Sequence, residues 1–323
     1  LVGGAEIEAM LATAHRLFSD RSCWLPKSER LNILRKAAEL IKERRHSLAV
    51  SAAREGGKPL VDSLVEIDRA ADGIECCVEE IRASAGNVIP MQIDASSSSK
   101  VAFTQYEPIG VVAAVSAFNH PFNLIVHQVA PAVATGCPVL VKPAAATPLS
   151  CQAFVEILKE AGLPEGWAQM VLPAEINLAT EMVSDPRVAF FSFIGSSRVG
   201  WMLKSKLAPG TRCALEHGGV APVIVSADAD LDDVVERIAK GGFYHAGQVC
   251  VSVQRIFCDR KIVDIFSEKL AEAAGRLKVG DPTQSDTDVG PLISDKECQR
   301  VADWVQEAVE GGATLKTGGK KIS

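Results

Sequence analysis

A chain of 323 residues, 47% hydrophobic and 23% charged, is ordinary globular material but longer than one hydrophobic core usually serves, so two domains are expected. The formal net charge of −6 gives no electrostatic ground for nucleic acid or an anionic membrane surface as partner, which leaves small molecules. No apolar run approaches the ~20 residues of a membrane span, the longest being Ile109 to Phe118, so a soluble protein without membrane attachment is expected.

The chain opens at Leu1, and Leu1 to Ala14 lacks the charged, apolar and cleavage regions of a signal peptide, so this start reads as the edge of a fragment. Ser28 to Val50 carries Leu31, Leu34, Ala38, Ile41 and Leu48, close to the spacing that lays one apolar stripe along a helix. Pro26 just ahead fits a helix start. A second helical stretch is predicted from Pro59 to Ser84, broken only at Gly73. Residues 87–108 change character, with short apolar segments around the serine run Ser96 to Ser99. They read as a hairpin or loop, the serines forming a flexible turn.

From Gly110 the pattern alternates. Val111 to Val115, Val139 to Val141, Met170 to Leu172, Val188 to Ile194 and Val223 to Val225 are short β-branched or aromatic runs. Between most of them lie the helix-length stretches Phe122 to Ala134, Leu149 to Ala161, Ile176 to Ser184 and Val199 to Leu207. Repeated strand and helix predicts an α/β fold with a doubly wound, mostly parallel sheet. Ligands of such sheets sit at the carboxyl ends of the strands, which directs attention to the residues there.

After the first of these strands comes Asn119, whose amide can donate to a developing oxyanion, although an asparagine ahead of a helix is more often a simple cap. The second strand ends at Lys142-Pro143, an ammonium where a ribose or phosphate can sit, or a solvated lysine. Gly195-Ser196-Ser197-Arg198-Val199-Gly200 is a glycine-serine turn entering a helix, where unpaired backbone N–H groups face an anion; it is not the Gly-x-Gly-x-x-Gly fingerprint. Farther on stand Glu216, a carboxylate able to activate water, and Cys250, a thiol able to add to a carbonyl. A lone cysteine is often structural. The nine cysteines, at 23, 76, 77, 137, 151, 213, 250, 258 and 298, form no Cys-x-x-Cys pair, and with six histidines they make no zinc pattern. No metal is expected, and the scatter suits a reducing compartment, hence the cytoplasm.

Taken together and in order, Glu107-Pro108-Ile109-Gly110-Val111, Phe118-Asn119-His120-Pro121-Phe122-Asn123, Val141-Lys142-Pro143 with Thr147-Pro148, Gly162-Leu163-Pro164-Glu165-Gly166, Phe193-Ile194-Gly195-Ser196, Leu215-Glu216-His217-Gly218-Gly219 and Gly247-Gln248-Val249-Cys250 resemble the aldehyde dehydrogenase superfamily. The resemblance covers essentially the whole chain. It implies an NAD(P)-dependent, hydrolytic oxidation of an aldehyde to a carboxylic acid. Cys250 attacks the aldehyde, Asn119 and the Cys250 N–H hold the oxyanion, and Glu216 with a water hydrolyses the thioester. Lys142, Gly195, Ser196, Gly200 and Gly218 are then the cofactor residues. Ala145 stands where the family usually has a ribose-binding glutamate, and no arginine or lysine in Pro143-Ala144-Ala145-Ala146 replaces it, so NAD and NADP both stay open.

The resemblance also implies a domain plan. Residues 1–88 and 109–219 form the dinucleotide-binding domain, 90–108 are oligomerisation strands implying a homodimer or homotetramer, and 220–323 are a second α/β catalytic domain whose C-terminal part is expected to be absent, since Gly318 to Ser323 reads as a turn entering a strand. His120, Asn123 and His127 are expected on one face of the helix after Asn119, which in the family lines the substrate channel. Two histidines and an amide there point to a polar or anionic aldehyde, or merely bond neighbouring backbone. Val249 stands where some phosphate-handling members carry arginine. The alternatives are a coenzyme A-acylating or reductive member of the fold, which Glu216 disfavours, a thiol hydrolase using His245 or His217 as base, and a non-catalytic binding protein that keeps the fold.

Overall fold

The computed structural model of the protein describes residues 1–322. Four helices open the chain: α1 (Gly4–Ser19), α2 (Lys27–Glu43), α3 (Arg45–Gly56) and α4 (Leu60–Ala83). α1 has no counterpart among the helices predicted above, although its buried Ile7, Leu11, Ala14 and Leu17 recur at three- and four-residue spacing. The single helix predicted over 28–50 is two, because Arg44 (φ −98°, ψ 12°) departs from helical geometry between them. Gly73 does not interrupt α4. A Cβ there would meet the ring of His127 on α5 at 3.5 Å, an ordinary contact.

β1 (Val88–Ile89) and β2 (Ala102–Phe103) pair antiparallel, Val88 opposite Phe103. The serine turn between them is tied by Asp94, whose carboxylate accepts from Ser96 Oγ at 2.7 Å and Ser97 N at 2.8 Å. Then follow β3 (Val111–Val115), α5 (Asn123–Thr135), β4 (Val139–Lys142), α6 (Pro148–Glu160), β5 (Ala168–Met170), α7 (Ile176–Ser184), β6 (Val188–Gly195), α8 (Ser197–Lys204) and β7 (Arg212–His217). The strands form one parallel sheet in the order β5-β4-β3-β6-β7. Strand order reverses at β3, and that switch point is where such sheets bind ligands.

The sheet is buried on both faces, as parallel sheets are. All of β3 is buried, and its alternate residues serve two cores. Val112 and Ala114 join Leu34, Ile41, Ile74, Val129 and Phe154 from α2, α4, α5 and α6. Val111, Ala113 and Val115 join Ile7, Leu11, Met182 and Leu203 from α1, α7 and α8. This is the period-two geometry of a strand. Gly110 is required by close approach: at φ 139° a Cβ would lie 2.5 Å from that of Ala189, where the β3–β6 register shifts.

The remainder comprises β8 (Val223–Val225), α9 (Leu231–Phe243), β9 (Ile256–Cys258), α10 (Val263–Arg276) and α11 (Asp295–Glu310). Val223–Val225 is therefore not part of the large sheet; it pairs in parallel with β9. The fifth strand of the large sheet is β7, absent from the predicted strands because Arg212, Ala214 and Glu216 stand exposed along one face and break any apolar run. β5 also begins earlier than predicted, at Ala168, which pairs with Val139. A small core of Val225, Val235, Ile238, Ala239, Phe266 and Ala273 holds this second unit. Among the described residues no helix is long and apolar enough to cross a membrane.

Candidate active site

Cys250 follows a backbone reversal. α9 ends at Phe243, and His245 (φ 47°), Ala246 (φ 55°) and Gly247 (φ 73°) then take left-handed conformations in succession. Such geometry costs a non-glycine residue about 1–2 kcal/mol, so the surroundings must hold it. His245 is fully buried with its ring edge-on to Phe118 at 6.4 Å. Its carbonyl accepts both Gln248 N and Gln248 Nε2 at 3.1 Å, and Gln248 Oε1 accepts Ile293 N at 2.9 Å. Beyond the turn Ser252 Oγ donates to Gly242 O at 3.0 Å. The outcome is a braced loop in which Val249 is buried and Cys250 exposed.

Asn119 reaches this loop from the carboxyl end of β3. Its Nδ2 donates to Gln248 O at 2.9 Å, two residues from the thiol, and its Oδ1 is buried with no partner among the described residues. It does not cap α5. The first N–H groups there, Phe122 N and Asn123 N, donate to the Glu66 carboxylate at 2.8 and 2.9 Å. Glu66 is in turn paired with the buried Lys58. Burial pushes the Lys58 ammonium below its ordinary range while Glu66 opposes that shift.

Glu216 lies near the carboxyl end of β7 with its side chain exposed. The chain beyond it is fastened to the nucleophile segment. A Cβ on Gly219 would come 3.4 Å from Cys250 O, Gln254 Nε2 donates to Gly219 O at 3.1 Å, and Gln254 N donates to Val220 O at 3.1 Å. Asn119, the Glu216 segment and Cys250 therefore converge at one end of the sheet.

Neither candidate histidine base is bonded to the thiol. His217, next to Glu216 and so on the opposite face of the strand, packs edge-on against Trp201 at 5.5 Å and Phe193 at 6.0 Å. Burial drives the His245 ring down to about 3, helped by the Lys58 charge, and both its nitrogens lack partners among the described residues.

At the neighbouring strand ends, Lys142 is half-buried, its Nζ donating to Pro143 O at 3.1 Å, and burial lowers its proton affinity. Ser196 is the exposed N-cap of α8 and its side chain caps nothing. The first N–H groups of a helix have no partner within it; here the first to bond back is Gly200 N, to Ser196 O at 3.0 Å. A Cβ on Gly200 would overlap His217 and Phe193, and one on Gly195 would lie 2.8 Å from the Phe193 ring, whereas Gly218 borders open space. This cradle fits a pyrophosphate. Ala145 is exposed and brings no charge to it. No metal-ligating cluster of three or more His, Cys, Asp or Glu occurs among the described residues.

The placing of His120, Asn123 and His127 on one helix face needs correction. α5 begins at Asn123, so His120 lies in the turn before it, where its Nε2 is 3.1 Å from Tyr244 Oη. Asn123 is buried, while His127 is exposed beside Gly73. Sequence reasoning also passed over Lys58, Glu66 and Tyr244. The local signal for Lys58 is Gly57-Lys58-Pro59 at a helix start.

The family model described as "Aldehyde dehydrogenase family" matches residues 2–323. A 3-sulfolactaldehyde dehydrogenase of Priestia aryabhattai is 40% identical over 293 residues, 91% of this chain and 61% of that protein. Among solved structures, glyceraldehyde-3-phosphate dehydrogenase from Methanocaldococcus jannaschii complexed with NADP superposes with TM-score 0.92 at 36% identity, covering 99% of this chain and 70% of that one. Aldehyde dehydrogenase 21 from Physcomitrella patens, in complex with the reaction product succinate, gives TM-score 0.92 at 35% identity over 99% of this chain and 66% of that one. The chain thus spans about 61% of the length of the first curated relatives it matches.

Proposed function

The chain belongs to the aldehyde dehydrogenase family, and on that premise we propose that the protein oxidises an aldehyde to a carboxylic acid through a cysteine thioester, with NAD or NADP as cofactor. The observation that carries this reading is the Asn119 Nδ2 to Gln248 O bond of 2.9 Å, which holds an amide donor beside the nucleophile loop. The Cys250 thiolate adds to the aldehyde carbon. The negative charge formed on oxygen is met by the second Asn119 Nδ2 hydrogen and by the Cys250 N–H. When bound, the nicotinamide supplies acceptance of the hydride. With that hydride gone the carbon is an acyl thioester of Cys250. Glu216 then takes a proton from a water that attacks the acyl carbon, and the C–S bond breaks to release acid and thiolate.

Lys142 would hold the cofactor's ribose, and Ser196 with the α8 N-terminus its pyrophosphate, with Gly195, Gly200 and Gly218 as its glycine surroundings. The bare Ala145 leaves both cofactors admissible, and the NADP complex of the Methanocaldococcus relative supports including NADP. Residues 1–88 and 109–219 serve as the dinucleotide-binding domain, 220–323 as the catalytic one, and 90–108 as the pairing surface of a homodimer or homotetramer. Free cysteines throughout the described residues support a cytoplasmic setting. His120, next to Asn119 in the chain, and the exposed His127 favour a polar or anionic aldehyde. The relatives' own compounds, a sulfonated aldehyde, a phosphorylated aldehyde and succinate, support the anionic choice.

The test is cofactor reduction by the full-length protein, wild type and Cys250→Ala, across neutral, hydroxylated and anionic aldehydes without coenzyme A. Reduction that vanishes in Cys250→Ala is the expected result. Reduction that requires added coenzyme A would move the protein to the acyl-transferring branch.

A further inference from the structure

We propose that Glu66, held by Lys58, is a positioning residue for the oxyanion step, setting where Asn119 stands relative to the nucleophile loop; this rests on the dehydrogenase reading above. Asn119 lies in the short segment between the end of β3 and the start of α5. Ser116 N donates to Lys142 O at 2.9 Å where that segment begins, and Glu66 closes it. One carboxylate oxygen, Oε1, accepts both Phe122 N at 2.8 Å and Asn123 N at 2.9 Å, just after Asn119 in the chain. The other, Oε2, takes the Lys58 ammonium. Both side chains are fully buried, and burying such groups is costly unless each is partnered. A helix start is usually capped by its own serine, threonine, aspartate or asparagine, but the residue ahead of α5 is Phe122, which caps nothing. A local cap would satisfy the same N–H groups. One that reaches across from α4 also fixes where α5, and the segment leading into it, lie against the neighbouring helix.

The turn that carries Lys58 also meets the second unit. α3 ends at Gly56, where a Cβ would lie 3.6 Å from Phe118 O, next to Asn119. Gly57 follows at φ 76°, where a Cβ would lie 3.1 Å from Pro291 O, and a Cβ on Gly290 would overlap Gly57 O. Leu60 N donates to Pro282 O at 2.7 Å. Two residues past Pro291, Ile293 N donates to Gln248 Oε1 at 2.9 Å, and Gln248 O accepts Asn119 Nδ2. Contacts therefore close a ring from Asn119 through Glu66, Lys58 and Pro291 to Gln248 and back to Asn119. The oxyanion donor and the loop of Cys250 are thus both referred to one buried pair. A misplacement of about 1 Å in such a site can cost about 100-fold in rate, so the pair acts on the chemistry without touching the substrate.

The experiment measures kcat and KM of the full-length protein on its best aldehyde, and the rate at which iodoacetamide alkylates Cys250, a displacement that forms no oxyanion. The proteins compared are wild type, Glu66→Gln, Asn119→Ala and the two changes together. Glu66→Gln keeps the shape of the side chain but removes the charge that holds Lys58. It should lower kcat roughly 10- to 100-fold, with KM and the alkylation rate within about 3-fold of wild type. Added to Asn119→Ala it should cost less than about 3-fold more, because the donor it positions is already gone. Lys58→Met with Glu66→Gln leaves no buried charge, should show the same loss of kcat, and carries the comparison if Glu66→Gln alone fails to fold. Losses that multiply in the combined variant, alkylation that slows as much as kcat, or an unchanged kcat would overturn the positioning role while Cys250-dependent turnover left the dehydrogenase reading standing. Turnover indifferent to Cys250→Ala would remove that reading and the positioning role with it.

Discussion

At the scale of single residues, the proposed chemistry turns on how Asn119 divides its two amide hydrogens. One is committed to Gln248 O, which leaves the other for an oxyanion in the proposed mechanism. Under the proposed mechanism Asn119→Ala removes a donor used chiefly in the transition state, worth about 3–4 kcal/mol in such sites. kcat should therefore fall by roughly 100- to 1,000-fold with kcat/KM falling alongside it. Steady-state kinetics on the best aldehyde checks this. A kcat within several-fold of wild type would mean that the bond to Gln248 is only structural, where its loss costs about 1 kcal/mol of stability. Asn119, Glu216 and Cys250 are candidates that the sequence offers because each is a reactive group in an ordered motif, and the structure brings Asn119 to the loop of Cys250. Glu66 and Tyr244 are not legible in it, since what marks them is a neighbour far along the chain: the α5 N–H groups bonded to Glu66, and His120 against Tyr244.

At the scale of elements, the sheet was legible where strands are apolar and hidden where they are not. β3 and β6 announce themselves by Val111 to Val115 and Val188 to Ile194, but β7 carries arginine and glutamate on an exposed face, so its periodicity is masked. The lead into α5 was hidden for another reason: its cap comes from α4, through Glu66, and no sequence pattern near Asn119 shows it. That cap sets the angle at which α5 leaves the site, and it depends on Lys58, which is fully buried. Removing one partner of a buried ion pair is strongly destabilising, about 3–5 kcal/mol, because the other charge stays buried alone. Lys58→Met should cost about that much in urea unfolding, and Lys58→Met combined with Glu66→Gln should cost clearly less than the two single changes added together. Additive losses would show that the two side chains act independently.

At the scale of the molecule, the feature that the fold leaves unexplained is the β1–β2 ribbon. Two residues per strand cannot stand alone, since an isolated hairpin is marginal in water and needs further strands or a packed face. Yet Val88, Val101 and Phe103 are 79%, 84% and 69% exposed, and none belongs to any of the buried clusters. A projecting ribbon with unpaired edges and an apolar face is the kind of surface that pairs with another chain. A second copy of this protein is the partner that the proposed oligomer requires, and closed two-fold symmetry would let the same ribbon serve both subunits. Val88→Asp with Phe103→Asp puts two charges at directly opposed positions of the ribbon, repelling across the pair and opposing burial. Because these side chains lie outside both sheet cores, circular dichroism should be unchanged. The mass from light scattering should fall from dimer or tetramer to a smaller species, and an unchanged mass would assign subunit contact to some other surface.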